Sequence, residues 1–293
     1  MELGYGARLR REVGPRPLPF IGVYDVFSAA VAARQFPCLF VSGFGFAASF
    51  YGLPDIGFIA WSDMAAYVGR LRTVLPQCHL LVDIDDGYCD SEVACHVAAL
   101  MEAQGASGVV LEDQQRPRKC GHYGGKRLME LPEYLDKLER VLTSRRELFV
   151  VARTDASEPE EMLRRAAAFA DAGADAVLVD AVPGLDMLRE LKARVNRPIV
   201  CNQLSGGKSP AWSLTELDEA GVSLVIYSTP CLFAAQEAIE DTLTTLKAQD
   251  GRLLQGVTTR VALHECTEVL NENLHWRHGN IDEPDDGLLA DAA

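Results

Sequence analysis

The chain has 293 residues, 48% of them hydrophobic and 24% charged, which is enough apolar material for one large core and too much for a disordered chain. Its net charge of −14 repels nucleic acid and anionic lipid, and no Lys/Arg stripe interrupts the acidic balance, so neither is expected as a partner. No apolar run approaches the roughly 18 residues of a membrane span, Met1 to Arg16 lacks a signal-peptide core, and the eight cysteines show no short paired spacing; a cytoplasmic protein with reduced thiols is expected.

Short β-branched apolar segments alternate with longer amphipathic ones from Pro19 onward, the pattern of repeated βα units. The predicted strands are Pro19–Val23, Cys38–Ser42, Leu80–Asp83, Gly108–Leu111, Leu148–Ala152, Ala176–Asp180, Pro198–Cys201 and Leu224–Tyr227. Eight strands with helices between them predict a closed (β/α)8 TIM-type barrel. Three intervening helices end on Gly105, Gly173 and Gly221, each leading directly into an apolar strand. Helix starts are predicted at Ser62-Asp63, Asp90-Ser91, Ser157-Glu-Pro-Glu and Ser213-Leu-Thr-Glu, where side-chain oxygens can cap free N–H groups. A further helix begins near Cys231. The barrel is expected to occupy 1–250, with 251–293 forming a helical extension, from Gly251 to His278, and an acidic tail. Apolar positions of the extension, among them Leu254, Val261, Val269 and Leu274, need a surface to pack on, and a neighbouring subunit would supply one.

The residues closing the predicted strands are Ser42, Asp83 and Asp85, Glu112 and Asp113, Arg153 and Asp155, Asp180, Asn202, and Tyr227 with Ser228. In a parallel barrel these ends share one mouth, where such folds place their chemistry. Any one of these Asp or Asn residues could simply cap the next helix; so many together point to a pocket. Asp83 and Asp85 fall on one side of an extended chain, and with Glu112 they form a hard-oxygen set suited to Mg²⁺ or Mn²⁺. Zinc is disfavoured because the six histidines are dispersed. The long cationic loop from Arg116 to Arg127 reads as an active-site lid, although a plain surface loop would share its composition. Within it Cys120 stands among Arg118, Lys119 and His122, neighbours that stabilise a thiolate. Gly43-Phe-Gly-Phe-Ala-Ala and Gly206-Gly-Lys-Ser are partial lookalikes of nucleotide motifs in the wrong context.

Taken together, Ser42-Gly43, Gly52-Leu-Pro-Asp-Ile-Gly, Asp83-Ile-Asp-Asp-Gly-Tyr, Leu111-Glu-Asp-Gln, Lys119-Cys-Gly-His, Ala152-Arg-Thr-Asp-Ala and Asn202 resemble the phosphoenolpyruvate mutase and isocitrate lyase superfamily, especially its methylisocitrate-lyase-like members. The resemblance runs through most of the chain. It implies Mg²⁺ held by Asp83, with Asp85 and Glu112 acting largely through water, and Ser42, Gly43 and Arg153 on the oxo-acid carboxylate. Asp55 would lie near metal and substrate. Cys120 would be the lid acid, with His122 beside it, and Phe40, Arg118, Gly121, Asp180 and Asn202 would complete the substrate pocket. The implied activity is cleavage of a 2-hydroxy di- or tricarboxylate to pyruvate or glyoxylate plus a second carboxylate, through a metal-stabilised enolate. The implied assembly is a homotetramer, a dimer of helix-swapped dimers.

Four positions depart from that pattern: Phe40 replaces a frequent tyrosine, Arg118 a lysine, Asp180 a glutamate and Cys89 a common glycine. They imply a substrate other than isocitrate or methylisocitrate. A phosphonomutase, or an oxo-acid decarboxylase or hydrolase on the same platform, is the main alternative, and a barrel that binds without turnover is a further one.

Overall fold

The computed structural model describes residues 3–14, 16–119, 121, 124–254 and 256–275. Cys120, His122 and the acidic tail lie outside them. In chain order the elements are α1 (Tyr5–Glu12), β1 (Leu18–Val23), α2 (Val26–Ala33), β2 (Cys38–Val41), α3 (Gly43–Phe46) followed by a π turn (Ala47–Tyr51), α4 (Trp61–Val74), β3 (His79–Asp83), α5 (Ser91–Ala103) and β4 (Gly108–Glu112). There follow α6 (Leu131–Ser144), β5 (Phe149–Thr154), α7 (Pro159–Asp171), β6 (Ala176–Val179), α8 (Leu185–Arg194), β7 (Ile199–Gln203), α9 (Leu214–Glu219), β8 (Val222–Tyr227), α10 (Pro230–Ala248) and α11 (Leu263–His275).

All eight predicted strands form. They pair in parallel in sequence order, and β1 closes on β8 through Leu18 against Leu224 and Ile21 against Tyr227. The fold is a TIM-type (β/α)8 barrel. Strand parity divides the core: Phe20, Leu81, Val110, Phe149, Val151, Val200 and Leu224 make one buried cluster, while Val82, Val109, Val150, Ala152 and Val225 join the helices in another. Leu9 of α1 belongs to the first cluster and is fully buried, a contribution of about 1.5–3 kcal/mol from one side chain. Helix α1 was not among the predicted elements.

Helix ends follow the predicted chemistry in part. Asp90 caps α5 by accepting from the Val93 N–H at 2.9 Å, and Ser213 and Glu216 make a reciprocal capping box on α9. Gly105, Gly173 and Gly221 take φ of 88°, 100° and 83°, the left-handed geometry that ends a helix before its strand. By contrast, α4 starts at Trp61 behind an Ala60 that offers no capping side chain. Helix α7 starts at Pro159, whose fixed φ suits the first helical position, rather than on Ser157.

Two compact units, Met1–Gln236 and Glu237–Ala293, divide the chain within α10. The extension is less helical than the sequence pattern suggests. After α10 the chain turns at Gly251, which adopts a φ of 76°, and helix resumes only at Leu263. The seven described cysteines are free thiols, and no helix among the described residues is long and apolar enough to cross a membrane.

Candidate active site

The pocket lies at the carboxyl ends of the strands. Ser42 follows β2 and caps α3, its Oγ accepting from the Gly45 N–H at 3.1 Å. A Cβ at Gly43 would lie 3.0 Å from Asp83 Oδ2, so the glycine lets the backbone come close to the carboxylate. Asp83 ends β3. Asp85 reaches the same place by a route different from the predicted strand alternation: the strand has stopped, and Asp85 sits at a φ of 52°, strained for a residue with a Cβ. That turn is fixed by its N–H donating to Asp83 Oδ1 at 3.2 Å and its carbonyl accepting from the Glu112 N–H at 2.9 Å.

Two guanidinium groups face these acids. Arg118 is 2% exposed; its Nε donates to Glu112 Oε1 at 2.9 Å, its Nη1 bonds Asp55 Oδ1 and lies 3.3 Å from Asp85 Oδ1. The loop carrying it thus sends a buried ion pair into the pocket, unlike an ordinary surface loop. Arg153, at the end of β5, forks onto Asp155 with both bonds at 3.0 Å, reaches Asp180 Oδ2 at 3.0 Å and lies 3.5 Å from Glu112 Oε2. Asp180 in turn accepts from Asn202 Nδ2 at 2.9 Å, and Asn202 accepts from the Ser228 hydroxyl. Gly121 lies against this network, because a Cβ there would fall 1.8 Å from Asp180 Oδ2 and 2.4 Å from Arg153 Nη2.

Among the predicted site residues, Phe40, Ser42, Asp55, Asp83, Arg118, Gly121, Arg153, Asp180 and Asn202 line one cavity, with Gly43 adjoining Asp83. Asp85 and Glu112 lie behind Arg118, and both are buried. Phe44, Val110, Leu178, Leu204 and Ile226 supply an apolar wall. The cavity holds about 40 Å³, room for a few waters.

Burial raises the carboxyl pKa of Asp83 and Asp85 above the usual range and pushes Glu112 up to about 7, with Arg118 and Arg153 pulling against it. Burial also works against the charge of Arg118, but the carboxylates of Asp85, Glu112 and Asp55 outweigh it and hold its pKa well above the usual value. Asp155 is buried too, yet Arg153 and Lys126 keep its carboxyl well below the ordinary range. Both carboxylate oxygens of Asp85 and Oε2 of Glu112 are buried without a hydrogen bond. Acceptors left this way fit a further cation, since a buried anion without donors is costly. Among the described residues no three acids stand in a ready coordination geometry, because the Arg118 guanidinium lies between them.

A supporting layer was not anticipated. Asp113 accepts from Thr154 Oγ1 at 2.7 Å, from the Asp155 N–H at 3.0 Å and from Arg165 Nη1 at 3.0 Å. Its carboxyl is pushed up to about 6 by burial and by Asp155. It thereby fixes the acid that orients Arg153. Arg165 stands in an Arg164-Arg165 pair four residues after Glu161, which in sequence looks like a surface helix pair. Lys126, from the cationic loop, bonds Asp155 Oδ1 at 2.9 Å and the Gly121 carbonyl.

Residues 9–247 match the family model described as phosphoenolpyruvate phosphomutase. The chain is 36% identical to the petal death protein of Dianthus caryophyllus over 271 residues, covering 90% of this chain and 84% of the relative. It is 32% identical to the 2-methylisocitrate lyase of Shewanella oneidensis over 270 residues, covering 89% and 92%. Among solved structures, a 2,3-dimethylmalate lyase superposes with a TM-score of 0.86 at 26% identity, over 94% of this chain and 95% of that one. The matched span holds the whole strand-end constellation just described. The chain therefore belongs to the phosphoenolpyruvate phosphomutase family, in the superfamily that also contains isocitrate lyase.

Proposed function

We propose that this chain is a divalent-metal-dependent carbon–carbon lyase acting on a small 2-hydroxy di- or tricarboxylate and releasing pyruvate or glyoxylate. The observation that carries the reading is an acidic cluster beside a guanidinium at one end of the barrel: Asp83 in the pocket wall, Asp85 and Glu112 behind it with oxygens that accept no hydrogen bond, and Arg153 within 3.5 Å of Glu112. Asp83, with Asp85 and Glu112, would hold a Mg²⁺ or Mn²⁺ ion, which would supply positive charge for the negative charge that develops on the oxo-acid oxygen. The chain's own residues do the rest. Arg153 and the Ser42-Gly43 turn hold the oxo-acid carboxylate, and Asp180 and Asn202 fix the Arg153 fork in its plane. The apolar wall of Phe44, Leu178, Leu204 and Ile226 keeps water from the reacting carbons. Breaking the C–C bond of a 2-hydroxy acid passes the hydroxyl proton to a carboxylate of the acidic cluster and leaves the electron pair of the broken bond on the departing carbon; Cys120, named on the sequence motif, gives that carbon a proton. Phe40 carries no hydroxyl, so the proton chemistry of tyrosine-bearing relatives does not transfer to that position.

The test is a Mg²⁺-dependent turnover screen by ¹H and ³¹P NMR over hydroxy acids, oxo acids and phosphonates. Pyruvate or glyoxylate is expected, with activity lost on chelation, restored by Mg²⁺ or Mn²⁺, and lowered by about 10²-fold or more in Cys120→Ser. Full turnover without metal would end the metal mechanism, and a new C–P signal would move the chain to the phosphonomutases.

We also infer that the chain assembles as a dimer or a tetramer of paired subunits. None of the 19 residues of α10 is buried, with Ile239 and Leu243 exposed. On the first unit, Pro19, Ile21, Phe36, Leu214 and Tyr227 line an apolar groove. Surfaces of this kind mark association sites. Light scattering is expected to give at least twice the chain mass of 32.0 kDa; a monomer at micromolar concentration would refute the assembly.

A further inference from the structure

We infer that Arg118 and the divalent metal are alternative occupants of the acidic cluster, so that metal binding expels this side chain and loosens the segment from Gln114 to Lys119 that carries it. The inference rests on the metal-dependent reading above and adds a competitor built into the chain.

The guanidinium engages Glu112 Oε1, Asp55 Oδ1 and Asp85 Oδ1, three carboxylates that converge on one point. A hard cation would draw on the same acids. Mg²⁺ prefers an octahedral oxygen shell and usually keeps several waters. With Arg118 in place its guanidinium fills the point where these acids converge, so the ion and its waters would have to take that place. Charge adds to this: Arg118 already offsets part of the field of four buried acids, Asp55, Asp83, Asp85 and Glu112, so the pull on a dication is weaker while the guanidinium stays, and the two cations repel each other.

The arginine has a built seat. Gly57, at a φ of 91°, packs along the Arg118 stem, with the Cγ 3.5 Å from where a Cβ would stand, an ordinary contact distance. Gln114 clamps the segment from both sides, donating from Nε2 to the Lys119 carbonyl at 2.7 Å and accepting from the Lys119 N–H at 2.9 Å. Arg116 forks onto Asp86 at 2.9 and 2.7 Å. The guanidinium's bonds to Glu112 and Asp55 are a further tie on this segment, and expelling it removes that tie. Arginine suits this role better than lysine, since its planar fork bridges several carboxylates and never loses its charge.

The full-length protein, stripped of metal, is titrated with Mn²⁺ by electron paramagnetic resonance, as wild type, Arg118→Gln and Arg118→Lys. Arg118→Gln is expected to bind Mn²⁺ about tenfold or more tightly, because an affinity is reduced by the fraction of protein whose site is already filled. Hydrogen exchange of Gln114–Lys119 should rise on adding Mg²⁺ to wild type and be fast, and unmoved by Mg²⁺, in Arg118→Gln. Arg118→Lys, which keeps the charge without the fork, should fall between the two, and it carries the test if the glutamine variant does not fold. Equal or weaker Mn²⁺ binding on removing the guanidinium, or protection of Gln114–Lys119 by Mg²⁺ in wild type, would overturn the competition while leaving the metal reading intact. Absence of Mn²⁺ binding in all three proteins would instead overturn the metal reading, and this inference with it.

Discussion

Arg153→Met is expected to lower turnover by about 10²–10³-fold or more, the usual effect of removing a group that stabilises developing charge, and to destabilise the fold by about 3–5 kcal/mol. The second effect is as informative as the first. The guanidinium serves Asp155, Asp180 and Glu112 together, so its loss strands buried carboxylates and does not merely remove one contact. A pH series separates the contributions. Arg153 and Lys126 depress the Asp155 carboxyl, so their stabilisation is fully present above the ordinary aspartate value of 3.8 and is lost as pH falls through the lower folded value. Urea midpoints of wild type and variant should therefore differ most near neutrality and converge in acid. Wild-type turnover in a variant with the expected loss of stability would make Arg153 a structural residue only.

Gly22→Ala should have the largest effect on the barrel itself. Gly22 pairs with Phe40 across the β1–β2 ladder, and a Cβ on it would lie 2.1 Å from the Ser228 carbonyl oxygen and 2.5 Å from that of Tyr227. Those are backbone atoms at the end of β8 and cannot swing aside as a side chain would. A loss of about 3 kcal/mol or more, at or beyond the upper end of overpacking costs, is expected in a denaturant melt. Turnover should fall as well, since moving Ser228 disturbs its bond to Asn202. Gly184→Ala is the control: nothing lies within 4 Å of the added methyl, and its φ is −173°, so it should behave as a mild surface change.

The barrel was legible in the sequence because its signal is repeated eight times, and because Gly105, Gly173 and Gly221 mark the passage from helix to strand in the same way each time. Strand ends were less legible. β5 runs on through Arg153 and Thr154 because they pair with Leu178 and Val179 of β6, and pairing across strands leaves no local trace in the chain. The acids and Arg153 could be found since polar residues closing apolar strands are unusual. Arg165 and Lys126 could not, because a basic residue on a helix or in a loop looks the same whether its head group meets water or an aspartate. The burial of Arg118 was hidden for the same reason. A composition that reads as a mobile loop does not disclose that four buried acids are waiting at its destination.

Strand β5 is an example of how little freedom such a barrel leaves to its chain length. Phe149 and Val151 point to the axis, Val150 and Ala152 to the helices, and Arg153 continues the axial series into the pocket. Adding or deleting a single residue within the strand would exchange the two series, swinging the guanidinium under a helix and a methyl into the reaction chamber. Packing and chemistry would then fail in one event, with no intermediate in which either survives. Length variation among descendants of such a gene is thereby confined to the connections between strands, where parity is not read, and it is there that a lineage can experiment with new substrates while the chamber beneath stays in frame.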